Sequence, residues 1–170
     1  TDQYLHAEDT ASAIARIWSV DFTQVGTGSS QDLNTPTLRE GRWPEQPDEC
    51  LIEVRTPGEF KVGDTLTLDP AKGEEPVTDT LKTDTFTIVG VADWSMYVDF
   101  ERGTTTVGNG KVESYILVPP EAFTLEVYTD VFLTLEDTRE LYAYDQVYTD
   151  TVQAYAEQLE ADAPDIYCLR

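Results

Sequence analysis

Leu38-Arg39-Glu40-Gly41-Arg42-Trp43-Pro44-Glu45, Phe60-Lys61-Val62-Gly63-Asp64-Thr65-Leu66-Thr67-Leu68, Phe86-Thr87-Ile88-Val89-Gly90-Val91 and Tyr115-Ile116-Leu117-Val118-Pro119-Pro120 are the blocks that decide the fold. Apolar residues alternate with threonine or charge at Leu66-Thr67-Leu68 and Phe86-Thr87-Ile88, the period of a half-buried strand. Gly, Pro and Asp turns separate the blocks, so the stretch from Leu38 to Pro120 reads as a small antiparallel or mixed β module. Further strands are expected at Glu49–Val54, Thr83–Trp94 and Lys111–Val118, with one helical turn at Pro120–Phe123.

Outward from this module the signals change. Ala13–Val20 fits a strand buried on at least one side, and a short helix over Asp9–Ile17 is the alternative. Gly26–Asn34 is a loop by composition. Tyr128–Leu135 reads as a strand with Val131, Leu133 and Leu135 on one face. From Asp145 the period becomes helical: Tyr148, Val152, Tyr155 and Leu159 form one stripe, with Asp145 as N-cap and Pro164 as the stop after Ala163. Asp165–Leu169 then reads as a closing strand, which makes a strand-helix-strand ending. The start at Thr1-Asp2-Gln3-Tyr4-Leu5 has no cap or turn cluster and reads as a piece excised from a longer protein.

The chain has 170 residues and a net charge of -22, from 33 acids against 11 bases. Nucleic-acid phosphates and anionic headgroups would be repelled by this surface, so no nucleic-acid partner is expected. The acidity serves solubility, or it docks a basic partner or cations. With 3 Trp, 9 Tyr and 6 Phe, the chain can bury a core, unlike a disordered acidic tail. No run of about 18 apolar residues is present, so no spanning helix is expected.

Few residues point to chemistry. His6 is the single histidine, so a Ser-His-Asp or Cys-His triad would have to use it, and it sits in a polar stretch. One histidine and two distant cysteines make a poor zinc or copper site; no metal, cofactor or catalytic residue is expected. Cys50 and Cys168 leave two readings open, a disulfide or two free thiols; in the loop-entropy model the bridge would stabilise by about 4–5 kcal/mol. Gly103–Lys111 departs from the phosphate-binding loop: Thr105 stands at the first glycine position, Val112 follows the lysine, and a strand follows. It reads as a tight β loop, with recognition as the alternative. Trp18, Trp43 and Trp94 are core residues or, in the rival reading, a sugar platform beside carboxylates.

The order of the blocks resembles the extracytoplasmic region of FtsX-like/MacB-like ABC transporter permeases, closest to the large Gram-positive members. The likeness rests on Leu38-x-Glu40-Gly41-Arg42-Trp43-Pro44-Glu45-x-Pro47-Asp48-Glu49-Cys50, Val62-Gly63-Asp64-Thr65-Leu66-Thr67-Leu68, Phe86-Thr87-Ile88-Val89-Gly90-Val91, Arg102 to Val112, and Ile116 to Phe123, and covers about Leu38 to Glu160. The resemblance implies an α+β region 1–170: a β-rich, Sabre-like subdomain (38–120) inserted into a partial porter-like α/β unit (10–36 plus 121–170). It implies a non-enzymatic domain outside the cell membrane, tethered by the permease's transmembrane helices and served by a cytoplasmic ATPase subunit. ATP-driven motion would tilt the domain against an extracellular substrate or protein partner. The expected contact residues are Tyr97, Asp99, Phe100, Arg102, Thr104, Thr105, Thr106, Asn109 and Lys111. Secreted carbohydrate-binding or hydrolytic domains and surface adhesion modules remain the rival classes.

Overall fold

In the computed structural model, residues 1–6, 13–26, 34–70, 76–125 and 132–166 are described. The chain falls into two compact units, Thr1–Tyr128 and Thr129–Arg170.

The first unit contains β1 (Asp2–His6), β2 (Ala13–Ser19), β3 (Pro36–Gly41), β4 (Glu49–Ile52), β5 (Thr65–Asp69), β6 (Thr85–Trp94) and β7 (Ser114–Val118). Six of them close a ring in the order β1-β2-β7-β4-β6-β5, and β5 pairs back to β1. The β2–β7 and β4–β6 pairs are parallel; the other four junctions are antiparallel. β3 adds to β6 as a seventh strand outside the ring.

This corrects the expected α+β architecture. β2, assigned to a porter-like unit, is a stave of the same barrel as the 38–120 strands, bonded to β7 from Ala15↔Ser114 to Ser19↔Val118. β1 closes the ring through Leu5↔Ala13 on one side and Leu5↔Leu68 on the other. The physical reason is edge satisfaction. A short open sheet leaves two rows of unpaired amides, and closure removes them. β6 makes closure feasible because its ten residues serve three neighbours: β5 at Thr85–Thr87, β4 at Thr87–Val91 and β3 at Gly90–Trp94.

Inside the ring, Leu5, Ile17, Ile52, Leu66, Leu68, Phe86, Ile88 and Ile116 pack as one buried cluster. The turn Val77–Asp79 and the turn Pro120–Ala122 add Val77, Leu81 and Ala122 to it. The wall is thick on one side. Leu51, Val89, Ala92, Trp94, Tyr115 and Leu117 face outward into a second cluster roofed by Trp18, Phe22, Trp43 and Tyr97. That explains why β4 and β7 are buried at every residue: they are apolar on both faces.

The Gly41–Glu49 block is a strap across β6. Arg42 donates its backbone N–H to Val89 O at 2.9 Å, and its guanidinium grips both carboxylate oxygens of Glu49. Glu49 also accepts the backbone N–H groups of Glu45 (2.8 Å) and Gln46 (3.2 Å). Arg42 holds the Glu49 carboxyl down at about 2, well below its ordinary value, with the two backbone donors assisting. The strap lies so close that a Cβ on Gly90 would sit 2.7 Å from Glu40 O.

The second unit departs further from the expected strand-helix-strand ending. Its helix, α1 (Gln146–Ile166), contains the Tyr148–Leu159 stripe but runs on through Pro164. No strand occurs in 132–135, and a short 3-10 turn, Glu136–Thr138, follows. Residues 165 and 166 are helical; the rest of the expected closing strand, and residues 126–131 of the preceding one, lie outside the described residues. Among the described residues no helix is long and apolar enough to cross a membrane.

Candidate contact surface

Residues 95–113 leave the end of β6, rise above the barrel and return to β7. The first half is anchored by aromatic stacking. Tyr97 lies flat on Tyr115, 4.9 Å between ring centres and 8° between planes, and its hydroxyl accepts Trp18 Nε1–H at 2.9 Å. Burial raises the Tyr97 phenol, outweighing the Trp18 hydrogen bond that lowers it.

Arg102 is the second anchor. It is 7% exposed, and its Nε donates to Glu53 Oε2 at 2.8 Å. A further N–H goes to Asp99 O, and the guanidinium sits over the rings of Tyr97 (5.5 Å) and Tyr115 (5.8 Å). Glu53 is only 3% exposed, and burial raises its carboxyl in spite of Arg102. This pair spans 49 residues and ties the turn after β4 to the 98–102 segment. Arg102, expected as a contact residue, therefore holds the surface from beneath.

What this leaves outside is apolar. Val98 is 93% exposed and Phe100 79%, with Val54 at 65% on the turn held by Glu53. Arg55 lies over the Phe100 ring at 4.5 Å. Asp99 and Glu101 are exposed beside Phe100, and Asp99 Oδ1 accepts the Phe100 N–H at 2.7 Å. Large side chains stand in the open here, flanked by acids and braced by a buried ion pair, which makes this a candidate contact surface.

The second half is a pinned loop. Thr104 and Lys111 form a bridge, Thr105 N–H reaches Gly110 O at 3.2 Å, and Val112 N–H reaches Gly103 O at 3.1 Å. Arg16 on β2 holds Asp2 through two hydrogen bonds (2.7 and 2.8 Å) and donates to Thr104 O at 2.8 Å. Burial raises the Asp2 carboxyl, but the bonds from Arg16 and Thr105 outweigh it and hold it low. Gly108, with φ +55°, is pressed on Tyr4: a Cβ there would lie 2.6 Å from the tyrosine oxygen. Thr104, Thr106, Asn109 and Lys111 are exposed and Thr105 is half-buried. Asn109 Oδ1 and Thr105 Oγ1 accept loop amides, from Lys111 (3.0 Å) and Val107 (3.1 Å), so these two shape the turn.

The structure thus brings Tyr97, Asp99, Phe100 and Arg102 together and places Thr104–Lys111 on a separate loop over β1 and β2. The sequence reading missed Glu53, Val54, Arg55 and Arg16. The signal available was an acidic residue following the apolar run Cys50-Leu51-Ile52 and a base inside Ala13-Ile14-Ala15-Arg16-Ile17.

The tryptophans do not form an exposed row: Trp94 is buried and Trp18 and Trp43 are half-buried. Trp94 meets Trp18 edge-on at 5.4 Å and donates to Asn34 O, while Trp43 stacks on Phe22 at 5.7 Å. His6 Nδ1 lies 2.8 Å from Asp69 Oδ2 on an exposed rim. Among the described residues no group of three or more His, Cys, Asp or Glu converges as for a metal. Cys50 is a buried free thiol in the barrel interior, pushed up by that burial; Cys168 lies outside the described residues. No protein-family model matches the chain, and no curated protein matches it.

Proposed function

We propose that this chain is a non-enzymatic, extracytoplasmic module of an ABC-transporter permease of the FtsX-like/MacB-like kind. In that role the barrel works as a stiff relay. Movement of the parent's transmembrane helices, driven by its cytoplasmic ATPase subunit, displaces the barrel and the contact surface with it. A closed, close-packed ring suits the task because a packed interior transmits displacement instead of absorbing it.

Two features support the reading. The blocks that carry the resemblance do structural work here: Gly41, Arg42 and Glu49 form the strap over Gly90. The observation that carries the contact role is the exposed Val98–Phe100 tip, braced by buried Arg102 and Glu53 on that barrel. The burial of Trp94, the packing of Trp18 against it and the stacking of Trp43 on Phe22 weigh against the carbohydrate reading.

The test is a Val98→Ser/Phe100→Ser variant of the full permease, compared with one in which Thr104, Thr106, Asn109 and Lys111 are changed to Ala. Transport should fall in the tip variant with unchanged surface expression. Full transport in both variants, or a parent gene with no bilayer-crossing segments, would remove the assignment.

A further inference from the structure

The Val98–Phe100 tip stands at one end of the barrel, where β4 and β6 finish and β7 begins. The turn after β4 reaches the same place: Arg55 lies 4.5 Å over the Phe100 ring centre. Val54, on that turn, adds its exposed side chain to those of Val98 and Phe100. The Arg102–Glu53 bond of 2.8 Å fastens the two segments from beneath, so a partner meets a preorganised surface and orders little on binding.

Charge decides what can cover this patch. Asp99 and Glu101 are exposed on either side of Phe100. Arg55 is the base beside them, and its guanidinium is already placed on the ring. Around the tip, 33 acids against 11 bases give the chain a field that draws cations and turns away anions. A second copy would bring the same -22 charge and the same pair of acids, and like charges set against each other oppose docking. An anionic lipid surface is repelled for the same reason. A polypeptide with apolar side chains set between lysines or arginines meets both demands. Its apolar groups cover Val98 and Phe100, and its cations face Asp99 and Glu101.

We propose that the tip docks a basic, apolar polypeptide segment of a partner protein. This rests on the contact role given to the tip above and names the chemistry of the partner.

The experiment is a titration of the ¹⁵N-labelled chain at pH 7 and about 0.15 M salt, where distant charges are screened. The probes are the capped peptides Lys-Leu-Lys-Leu-Lys-Leu-Lys, Glu-Leu-Glu-Leu-Glu-Leu-Glu and Lys-Ser-Lys-Ser-Lys-Ser-Lys. The Lys-Leu peptide should shift the amides of Val54, Arg55 and Val98 to Glu101, and bind at least about tenfold more tightly than either of the others. Val98→Ser/Phe100→Ser leaves the charge unchanged and should weaken it about tenfold. Asp99→Asn/Glu101→Gln should do the same with the apolar surface intact, and Asn at this position keeps the oxygen that accepts the Phe100 N–H. Glu45→Gln/Glu121→Gln removes the same charge before β4 and after β7, at the other end of the barrel, and should leave binding within about twofold. Equal binding of the Glu-Leu peptide, undiminished binding in either tip variant, or an equal loss in Glu45→Gln/Glu121→Gln would overturn the proposal. Tip-amide shifts on adding phosphatidylcholine vesicles, or on raising the concentration of the chain alone, would give the patch to a lipid surface or a second copy and overturn it too. In the full permease, Asp99→Asn/Glu101→Gln should lower transport as Val98→Ser/Phe100→Ser does. Full transport in the charge variant alone leaves the contact role standing and overturns the basic partner; full transport in both removes the contact role as well.

Discussion

Replacing Arg102 with methionine keeps most of the stem but removes the cation that faces Glu53. The carboxylate would then be left almost fully enclosed with neither oxygen paired. Stranding one member of a buried pair costs about 3–5 kcal/mol. The parts agree: a charge-assisted bond to Glu53 of about 1.5–3 kcal/mol, about 1 for the bond to Asp99 O, and about 1 for the guanidinium over two tyrosine rings. The double variant Glu53→Gln/Arg102→Met carries no buried charge and should recover about 2 kcal/mol or more of that loss. The pH dependence has a definite sign. Burial raises the folded-state Glu53 carboxyl above its ordinary 4.5, so the protonated form is favoured by folding. Its contribution is fully present below 4.5 and is lost as pH rises through the raised value. The Arg102→Met deficit should therefore be larger at pH 7 than at pH 5. Urea unfolding followed by tryptophan fluorescence at both pH values measures it. A deficit under about 1 kcal/mol, or single and double variants that simply add, would refute a buried, coupled pair.

Gly90→Ala should destabilise by more than about 2 kcal/mol, because its Cβ would meet Glu40 O at 2.7 Å, Arg42 O at 2.9 Å and Leu51 Cδ2 at 2.9 Å, two of them backbone; a urea midpoint equal to wild type would show that the strap does not press on β6. Glu49, held at about 2, stabilises the fold above its ordinary 4.5 and loses that contribution as pH falls toward 2. Glu49→Gln should flatten the fall of the unfolding midpoint between pH 5 and pH 2, and an unchanged slope would contradict the role given to the carboxylate. In a Cys168→Ser chain, the buried Cys50 thiol should react with a thiol reagent only as fast as the barrel opens, measured by mass spectrometry with and without urea; labelling within minutes in native buffer would place Cys50 at the surface.

Strands β4 to β7 were legible because their runs are strongly apolar or alternate between turns. β1 was not. Its inward residues are Gln3 and Leu5, and a buried glutamine hides the alternation. Closure itself is a tertiary event: Leu5 meets Leu68, sixty-three positions away, and nothing local to either residue announces the pairing. The error over the final third came from treating Leu133 and Leu135 as a strand face, although Leu133 is exposed. The helix was legible from the Tyr148–Leu159 spacing alone, because four residues at that interval fit one face. The burial of Arg102 is not visible in the sequence. A cation in a segment rich in glycine and threonine looks solvated, and the acid that buries it stands forty-nine residues earlier. The turn that braces the Val98–Phe100 segment carried only a faint signal, an acidic residue after the apolar run Cys50-Leu51-Ile52.

Native-state amide exchange tests the central physical claim, that a closed barrel presents a braced surface. The amides of β6 and β7 and those of Thr105, Gly110 and Val112, bonded to Gly110 O, Val107 O and Gly103 O, should exchange at least about 100-fold more slowly than in an unstructured chain. Protection of β6 and β7 with these three loop amides exchanging at free-chain rates would mean that the 103–112 loop is not pinned to the barrel, and would contradict a surface held rigidly on it.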